Sequence, residues 1–447
     1  MNLEYITTTF ADNKKKMDHH RMQFVEDTGI EDQVINIYPE VEYQKFEGFG
    51  GAFTESAGYV FSKMDEYQKK KMISTYFDSE ELNYQFGRIH MDSCDFSLEQ
   101  YEAMSNSKDK EMKSFSLLRP MKYIEPFIKE VQGQTGKKVE LMVSPWSPPT
   151  FMKTNGKRSN GGKLRAEYRR FWADYICRYI VELRKRGMSV HRMSIQNEPA
   201  AVQTWDSCVY TAQEEKEFLK EYLYPALVKN GLEDMEIFIW DHNKERAFER
   251  AQTIIDSETD PMIAGIAFHW YSGDHFEALE LIHKKFPDKK LILSEACIEY
   301  SKYSAKDYLV NAQKYAHDLI GNMNAGMHAF YDWNLVLDDK GGPNHVENLC
   351  DAPYLYDIKH KELQERNTLS YLWHFSHFIK PGAKRIAYSK YTSELEVTAF
   401  KNPTGELIVV ILNTTQNEKA AVIRMGGKMA EINIKPEAIL TLTACEE

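Results

Sequence analysis

Cysteine is scarce in this chain, with six in 447 residues, at Cys94, Cys177, Cys208, Cys297, Cys350 and Cys445. None of them stands at a metal-type spacing, so a disulfide scaffold and a zinc ribbon are both excluded and free thiols in a reducing compartment are expected. Long apolar runs are missing too. No stretch is long and apolar enough to span a bilayer, and the start Met1-Asn2-Leu3-Glu4-Tyr5 has neither the basic nor the apolar region of a secretory leader. The expectation is a cytoplasmic protein with no stable membrane insertion. Positive charge is in deficit: 56 Lys and Arg against 67 Asp and Glu leave a net charge of -11. A phosphate backbone is held by clustered Lys and Arg, so nucleic acid is excluded as an electrostatic partner. The short basic runs Lys14-Lys15-Lys16, Lys69-Lys70-Lys71 and Arg184-Lys185-Arg186 read as solvated faces. His19 and His20 have no acidic or cysteine partner at ligand spacing and read as surface residues, and no metal or cofactor is expected.

What is present is core. A hydrophobic content of 43% and an aromatic content of 13% can fill one large domain and a smaller one. From about residue 46 a unit repeats: a short apolar strand, a loop opening with polar or aromatic residues, then a longer amphipathic stretch. The strands are Phe46 to Gly50, Tyr84 to His90, Val139 to Ser144, Val190 to Gln196, Ile237 to Asp241, Ile263 to His269, Leu291 to Ser294 and Met327 to Asp332. Between them lie helical patterns such as Glu167 to Arg186, where Phe171, Trp172, Tyr175, Ile176, Tyr179, Ile180 and Leu183 recur at helical intervals, Ala212 to Val228, and Lys306 to Asn322. Eight such units predict a (β/α)8 TIM barrel over residues 46–379. An open doubly wound sheet is the runner-up, but no Gly-rich phosphate loop follows the first strand.

After about residue 380 the pattern becomes one of alternating runs: Arg385 to Tyr391, Leu395 to Phe400, Leu407 to Leu412, Ala420 to Met425, Met429 to Ile434 and Ala438 to Ala444. Turn residues such as Asn402-Pro403-Thr404-Gly405 break them, as expected of an antiparallel β domain over residues 380–447. Within residues 1–45 the extended runs Leu3 to Phe10 and Gln33 to Tyr38 flank a polar segment and have no helices to pair with. They are expected to cross over and complete a β-sandwich with the C-terminal strands.

In a β/α barrel the residues that close each strand converge on one reactive face. Here they are Arg88, Asp92 and Asp95 after strand two, Trp146 after three, Asn197 and Glu198 after four, and His242 after five. Strand six adds His269 and Tyr271, strand seven Glu295, and strand eight Asp332 and Trp333. Two strand-end carboxylates flanked by Trp and Tyr suit glycoside hydrolysis, in which one acid protonates the leaving oxygen and a second carboxylate attacks the anomeric carbon or activates water. Aromatic faces suit the apolar side of a sugar ring, and Asn or Asp its hydroxyls. Asp92 reads as a surface loop acid, Trp240 and Trp270 as core, and Glu55 as a salt-bridged helix-start residue. Cys297 reads as a small buried side chain packing the strand end. Trp205 is balanced between a leaving-group platform and ordinary packing.

The segments Gly48-Phe49-Gly50-Gly51-Ala52-Phe53-Thr54, Ser93-Cys94-Asp95-Phe96-Ser97, Ser144-Pro145-Trp146, Lys153-Thr154-Asn155-Gly156 and Gln196-Asn197-Glu198-Pro199 stand in this order. Phe268-His269-Trp270-Tyr271, Ser294-Glu295-Ala296-Cys297, Asp332-Trp333-Asn334 and Gly341-Gly342-Pro343-Asn344 follow. Together they resemble glycoside hydrolase family thirty, the family of glucosylceramidases and related β-glycosidases. The resemblance implies a retaining double displacement with Glu198 as acid/base and Glu295 as nucleophile. It implies a sugar pocket of Asp95, Trp146, Asn197, Trp333 and Asn348, with Tyr271 hydrogen-bonding the nucleophile and Arg88 and His269 in support. Arg88 and Tyr271 beside Glu295, and an asparagine beside Glu198, would let the nucleophile stay ionised while the donor keeps its proton.

Two features depart from the family's animal glucosylceramidases: His345 stands where they carry Trp, and the loop Ala200 to Val209 differs, so ceramide specificity is not carried over. The expectation is a retaining exo-β-glycosidase acting on β-glucosides. An endo-β-1,6-glucanase or a β-xylosidase is the nearest rival, and an inactive carbohydrate-binding protein is the rival of another class.

Overall fold

The computed structural model describes residues 2–11 and 14–445. Its centre is a closed barrel of eight parallel strands: Gly48–Ala52, Phe86–Met91, Glu140–Pro145, Ser189–Ser194, Glu236–Asn243, Gly265–His269, Lys290–Glu295 and Ala329–Asp332. They pair in chain order, and the eighth closes on the first through Ala329 opposite Gly48. Three of the five residues of the first strand are glycine, and its neighbour crowds it: a Cβ on Gly50 would collide with the Phe86 carbonyl. The barrel lumen is filled by Phe86, Met142, Phe238, Ala267, Ile292, Ala329 and Tyr331, so the barrel is a packed core and its chemistry is confined to the rim.

Helices cover the outside. Arg169–Lys185 buries Trp172, Tyr175, Ile176, Tyr179, Ile180 and Leu183, the apolar stripe read from its periodicity. The helical pattern from Ala212 is interrupted: Ala212–Phe218 and Tyr224–Lys229 are joined through a π-helical turn, Leu219–Leu223. After the eighth strand a small sheet of Val336–Asp338, Tyr354–Asp357 and Glu362–Glu365 carries the loop that holds Asn348. Its strands are too short to register as alternation in sequence.

The second unit is one hydrogen-bonded sheet of ten strands. Asn2–Ala11 pairs with Ala438–Cys445, and Val34–Lys45 pairs antiparallel with Lys384–Lys390 and parallel with Lys419–Met425. The N-terminal strands therefore complete the C-terminal β domain, and its two halves close over a core that includes Leu3, Ile35, Val397, Val409, Ile423, Ile432 and Leu440. The polar segment between the N-terminal runs is also a strand. Lys14–Gln23 pairs with Asn2–Ala11 at the edge of the sheet, and its lysines and the exposed His19 and His20 keep that edge from pairing further. Polarity hid this strand because an edge strand needs no buried face.

Candidate active site

Arg88 organises the barrel mouth. It is fully buried, and its Nη1 donates to Glu295 Oε2 at 2.6 Å. Its Nη2 donates to Asn197 Oδ1 at 2.8 Å and to Asp241 Oδ2 at 2.9 Å, and its Nε reaches Ser144 Oγ at 3.2 Å. One guanidinium from strand two thus ties together the ends of strands three, four, five and seven. A planar fork with fixed donors suits that task better than a flexible ammonium.

Asp241 is the anionic counterpart. Besides Arg88 it accepts from Ser294 Oγ at 2.6 Å and from Ser194 Oγ, and it lies 3.1 Å from His269 Nε2. Burial alone would raise its carboxyl. Arg88, with the hydrogen bonds from His269 and Ser194, reverses the sign and holds it well below the usual carboxylate range. In the sequence Asp241 marks only the end of the fifth strand, and His242 is the residue expected at the rim. The signal for Asp241 was an acid closing an otherwise apolar run.

Glu198 is carried by an unusual corner. Its backbone has φ 48°, a left-handed conformation costly for a non-glycine residue. The Glu198 N–H to Asp241 carbonyl bond at 2.9 Å holds it there. Glu198 Oε1 lies 3.4 Å from His269 Nδ1 and 3.5 Å from His242 Nδ1, and His269 Nδ1 lies 4.0 Å from Glu295 Oε1. The two glutamates therefore face each other across one imidazole edge. Glu295 also accepts from the Tyr271 hydroxyl at 2.9 Å. Burial opposes charge on His269, but Glu295, Asp241 and Glu198 outweigh it and raise the ring to about 9.

The asymmetry between the acids differs from the expected one in its parts. Asn197 bonds Arg88, and two imidazoles flank Glu198. Burial is the largest influence on Glu198, but a charged His242 and the bond and charge of His269 outweigh it and lower the carboxyl. Burial lowers the His242 ring itself, so at neutral pH the His242 charge is absent. Glu295 receives direct donors at 2.6 and 2.9 Å, whereas Glu198 has only the 3.4 Å contact with a charged ring. The two acids titrate as one pair: burial raises Glu295, and its direct donors act against that by favouring charge there.

These residues open onto a pocket of about 130 Å³, smaller than the roughly 300–1,000 Å³ clefts that hold drug-sized ligands. Its walls include Asp95, Trp146, Asn197, Tyr271, Trp333 and Asn348 with both glutamates. The Trp146 and Trp333 rings stack at 5.5 Å, with the Arg88 guanidinium 4.9 Å and 5.4 Å from their centroids. Asn348 Nδ2 donates to Asp95 Oδ2 at 3.2 Å. Burial first, then the Glu295 charge, push Asp95 up to about 8, so at neutral pH it can donate a hydrogen bond as well as accept one.

Two rim expectations are corrected. Asp92 is no surface acid: it is fully buried, with φ 59°, and accepts from Tyr175 OH at 2.7 Å and the Ala103 N–H at 2.8 Å. Asp332 turns away from the pocket, its carboxylate taken by Tyr315 OH at 2.8 Å and the Trp333 N–H at 3.0 Å. Glu55 opens the helix Glu55–Phe61, where Arg119 pairs with it and the Leu98 N–H donates at 3.0 Å. Trp240 and Trp270 are core. Trp205 is half-buried and lines the pocket, as do Gln203, Asn243, Glu299, Lys302, Cys297 and Cys350. Most of these are loop residues without a strand-end signal. Among the described residues one group could hold a metal ion, Glu198, His242 and His269, whose ligand atoms lie within 4.8 Å of one another.

A parallel barrel whose rim sets a buried and a half-buried glutamate and a pair of stacked indoles around a sugar-sized pocket has the architecture of a glycoside hydrolase. The chain belongs to glycosyl hydrolase family 30: the family's TIM-barrel domain matches residues 46–379 and its beta sandwich domain residues 382–442. The crystal structure of SrfJ from Salmonella typhimurium is 38% identical, with a TM-score of 0.96 and full coverage of both chains. Lysosomal acid glucosylceramidase of Mus musculus is 28% identical over 86% of this chain and 78% of its own length. Endo-1,6-beta-D-glucanase of Neurospora crassa is 24% identical over 86% of this chain and 82% of its own. Among the described residues no helix is long and apolar enough to cross a membrane.

Proposed function

We propose that the protein is a retaining exo-β-glycosidase that releases glucose from small β-glucosides. Glu295 would attack the anomeric carbon, and Glu198 would protonate the departing oxygen and then deprotonate the incoming water. The observation that carries this is the shared imidazole edge: Glu198 and Glu295 approach the same His269 nitrogen at 3.4 and 4.0 Å, which supports a nucleophile and an acid/base working on one anomeric centre. The small pocket supports action at a chain end.

The likeness to a glucosylceramidase supports the glucoside, and the differing loop Ala200 to Val209 supports an aglycone other than ceramide. Six unpaired cysteines, five of them buried, support a reducing, cytoplasmic setting. The test is turnover of aryl β-glycosides that differ in the sugar, with proton NMR of the first anomer released. Fast release of β-glucose is expected. A first-formed α-anomer would end the retaining assignment, and cleavage of internal β-1,6-glucan bonds with no aryl glucoside turnover would favour the endo-glucanase that the N. crassa relative represents.

A further inference from the structure

We propose that Glu198, His242 and His269 form a binding site for a borderline-soft divalent cation such as Zn2+, and that its occupation switches the glycosidase off by taking the acid/base carboxylate. The first half stands on geometry alone. The second rests on the reading of Glu198 given above.

Zinc bound tetrahedrally at about 2.0–2.1 Å from nitrogen and oxygen places neighbouring ligand atoms about 3.3–3.4 Å apart. Glu198 Oε1 lies 3.4 Å from His269 Nδ1 and 3.5 Å from His242 Nδ1, so two edges of the coordination tetrahedron are already set. The third, between the two rings, is no longer than 4.8 Å. Rotation of His242 closes it, and nothing opposes that rotation at Nδ1, a buried nitrogen with no hydrogen-bond partner. His269 is held as metal-binding histidines are held, with its other nitrogen 3.1 Å from the Asp241 carboxylate. That partner fixes the ring and raises its basicity.

The donor set selects the cation. Two imidazoles and one carboxylate suit zinc, copper or nickel, whereas magnesium and calcium prefer all-oxygen sites. Glu198 and His242 both line the pocket, so a cation arriving from solvent reaches them directly and the fourth position faces the pocket, where water can fill it. On binding, the Nδ1 lone pair of His269 goes to the metal and the proton it carried leaves to bulk water. Glu198, now a metal ligand, has no proton to give, and the charge of the cation lowers the basicity of its carboxylate. Arg88 bonds Glu295 and not Glu198, so the nucleophile keeps its partners while the acid is lost.

The experiment is isothermal titration calorimetry of the full chain with ZnCl2 and with MgCl2, beside the variants His242→Phe, His242→Asn and Glu198→Gln, each checked for folding by thermal melting. Expected are one zinc per chain, no magnesium heat, and at least 10-fold weaker zinc binding in each variant. Zinc affinity unchanged in the histidine variants, or in Glu198→Gln, overturns the site. Aryl glucoside turnover measured alongside separates the two halves. Tight single-site binding that leaves turnover intact would overturn the switch and the acid/base role of Glu198 while the site stands. An enzyme silent on every glycoside that still binds one zinc would remove the proposed function and leave the site.

Discussion

Arg88 and Asp241 form an ion pair at 2.9 Å with both side chains fully buried, and both proposed catalytic acids hang on it. Glu295 is bonded to the cation directly. Glu198 meets the anion through His269, and its own backbone N–H donates to the Asp241 main-chain carbonyl.

Breaking this pair leaves an uncompensated buried charge, which costs about 3–5 kcal/mol in comparable sites. Asp241→Asn is therefore expected to lower the unfolding free energy by that order and to reduce kcat/KM sharply. Urea denaturation checks it, and a loss below about 1 kcal/mol would show that the serines and His269, rather than the ion pair, hold the rim.

General acid assistance is worth about 10²–10⁴-fold where the leaving group needs a proton. Glu198→Gln should lose that factor in kcat/KM on an alkyl or methoxyphenyl β-glucoside and little on a dinitrophenyl β-glucoside. An equal loss on both substrates would assign Glu198 another role. Glu295→Ala should abolish turnover of both, and activity retained there would remove it as nucleophile.

Tyr271 donates to Glu295 at 2.9 Å, a hydrogen bond to a charged group worth about 1.5–3 kcal/mol. Tyr271→Phe should reduce kcat roughly 10–100-fold with a smaller change in KM. A rise in KM alone would mean that the hydroxyl serves the sugar and not the nucleophile.

A different histidine ties the barrel to the β domain. His317 lies in the helix Tyr308–Asn324; its Nδ1 is 2.7 Å from Glu396 of the β domain and its Nε2 is 3.1 Å from Asp274. The bond to Glu396, with the Glu396 and Asp274 charges and against burial, raises the ring to about 9. A folded value above the unfolded one, near 6.5, means that the stabilisation is complete below about pH 6.5 and fades as pH rises through 9. The Tm difference between the wild type and His317→Gln should be largest near pH 6 and vanish near pH 10. A difference independent of pH would show that the contact acts through packing.

Much of this architecture was legible because it is written locally. Each barrel strand is an apolar run ended by a polar or aromatic residue, and the helix Arg169–Lys185 shows its stripe in seven residues. Lys14–Gln23 was hidden because its partner, not its own pattern, makes it a strand. Asp92 and Asp332 were misplaced for a related reason. What takes their carboxylates are the hydroxyls of Tyr175 and Tyr315, side chains of helices whose inner faces the sequence marks only as apolar.

The amino-acid sequence by itself determined the order of elements, the family motifs and the positions of two glutamates at strand ends, since strand period and strand termination are set by neighbouring residues. Only the tertiary structure decided which groups share a proton and a charge. Arg88 selects Asn197, Asp241 and Glu295 because barrel closure brings four strand ends within the span of one guanidinium, and His269 meets both acids because strand six lies between the fourth and the seventh. Electrostatic partnership depends on distance and burial, and both are products of closure.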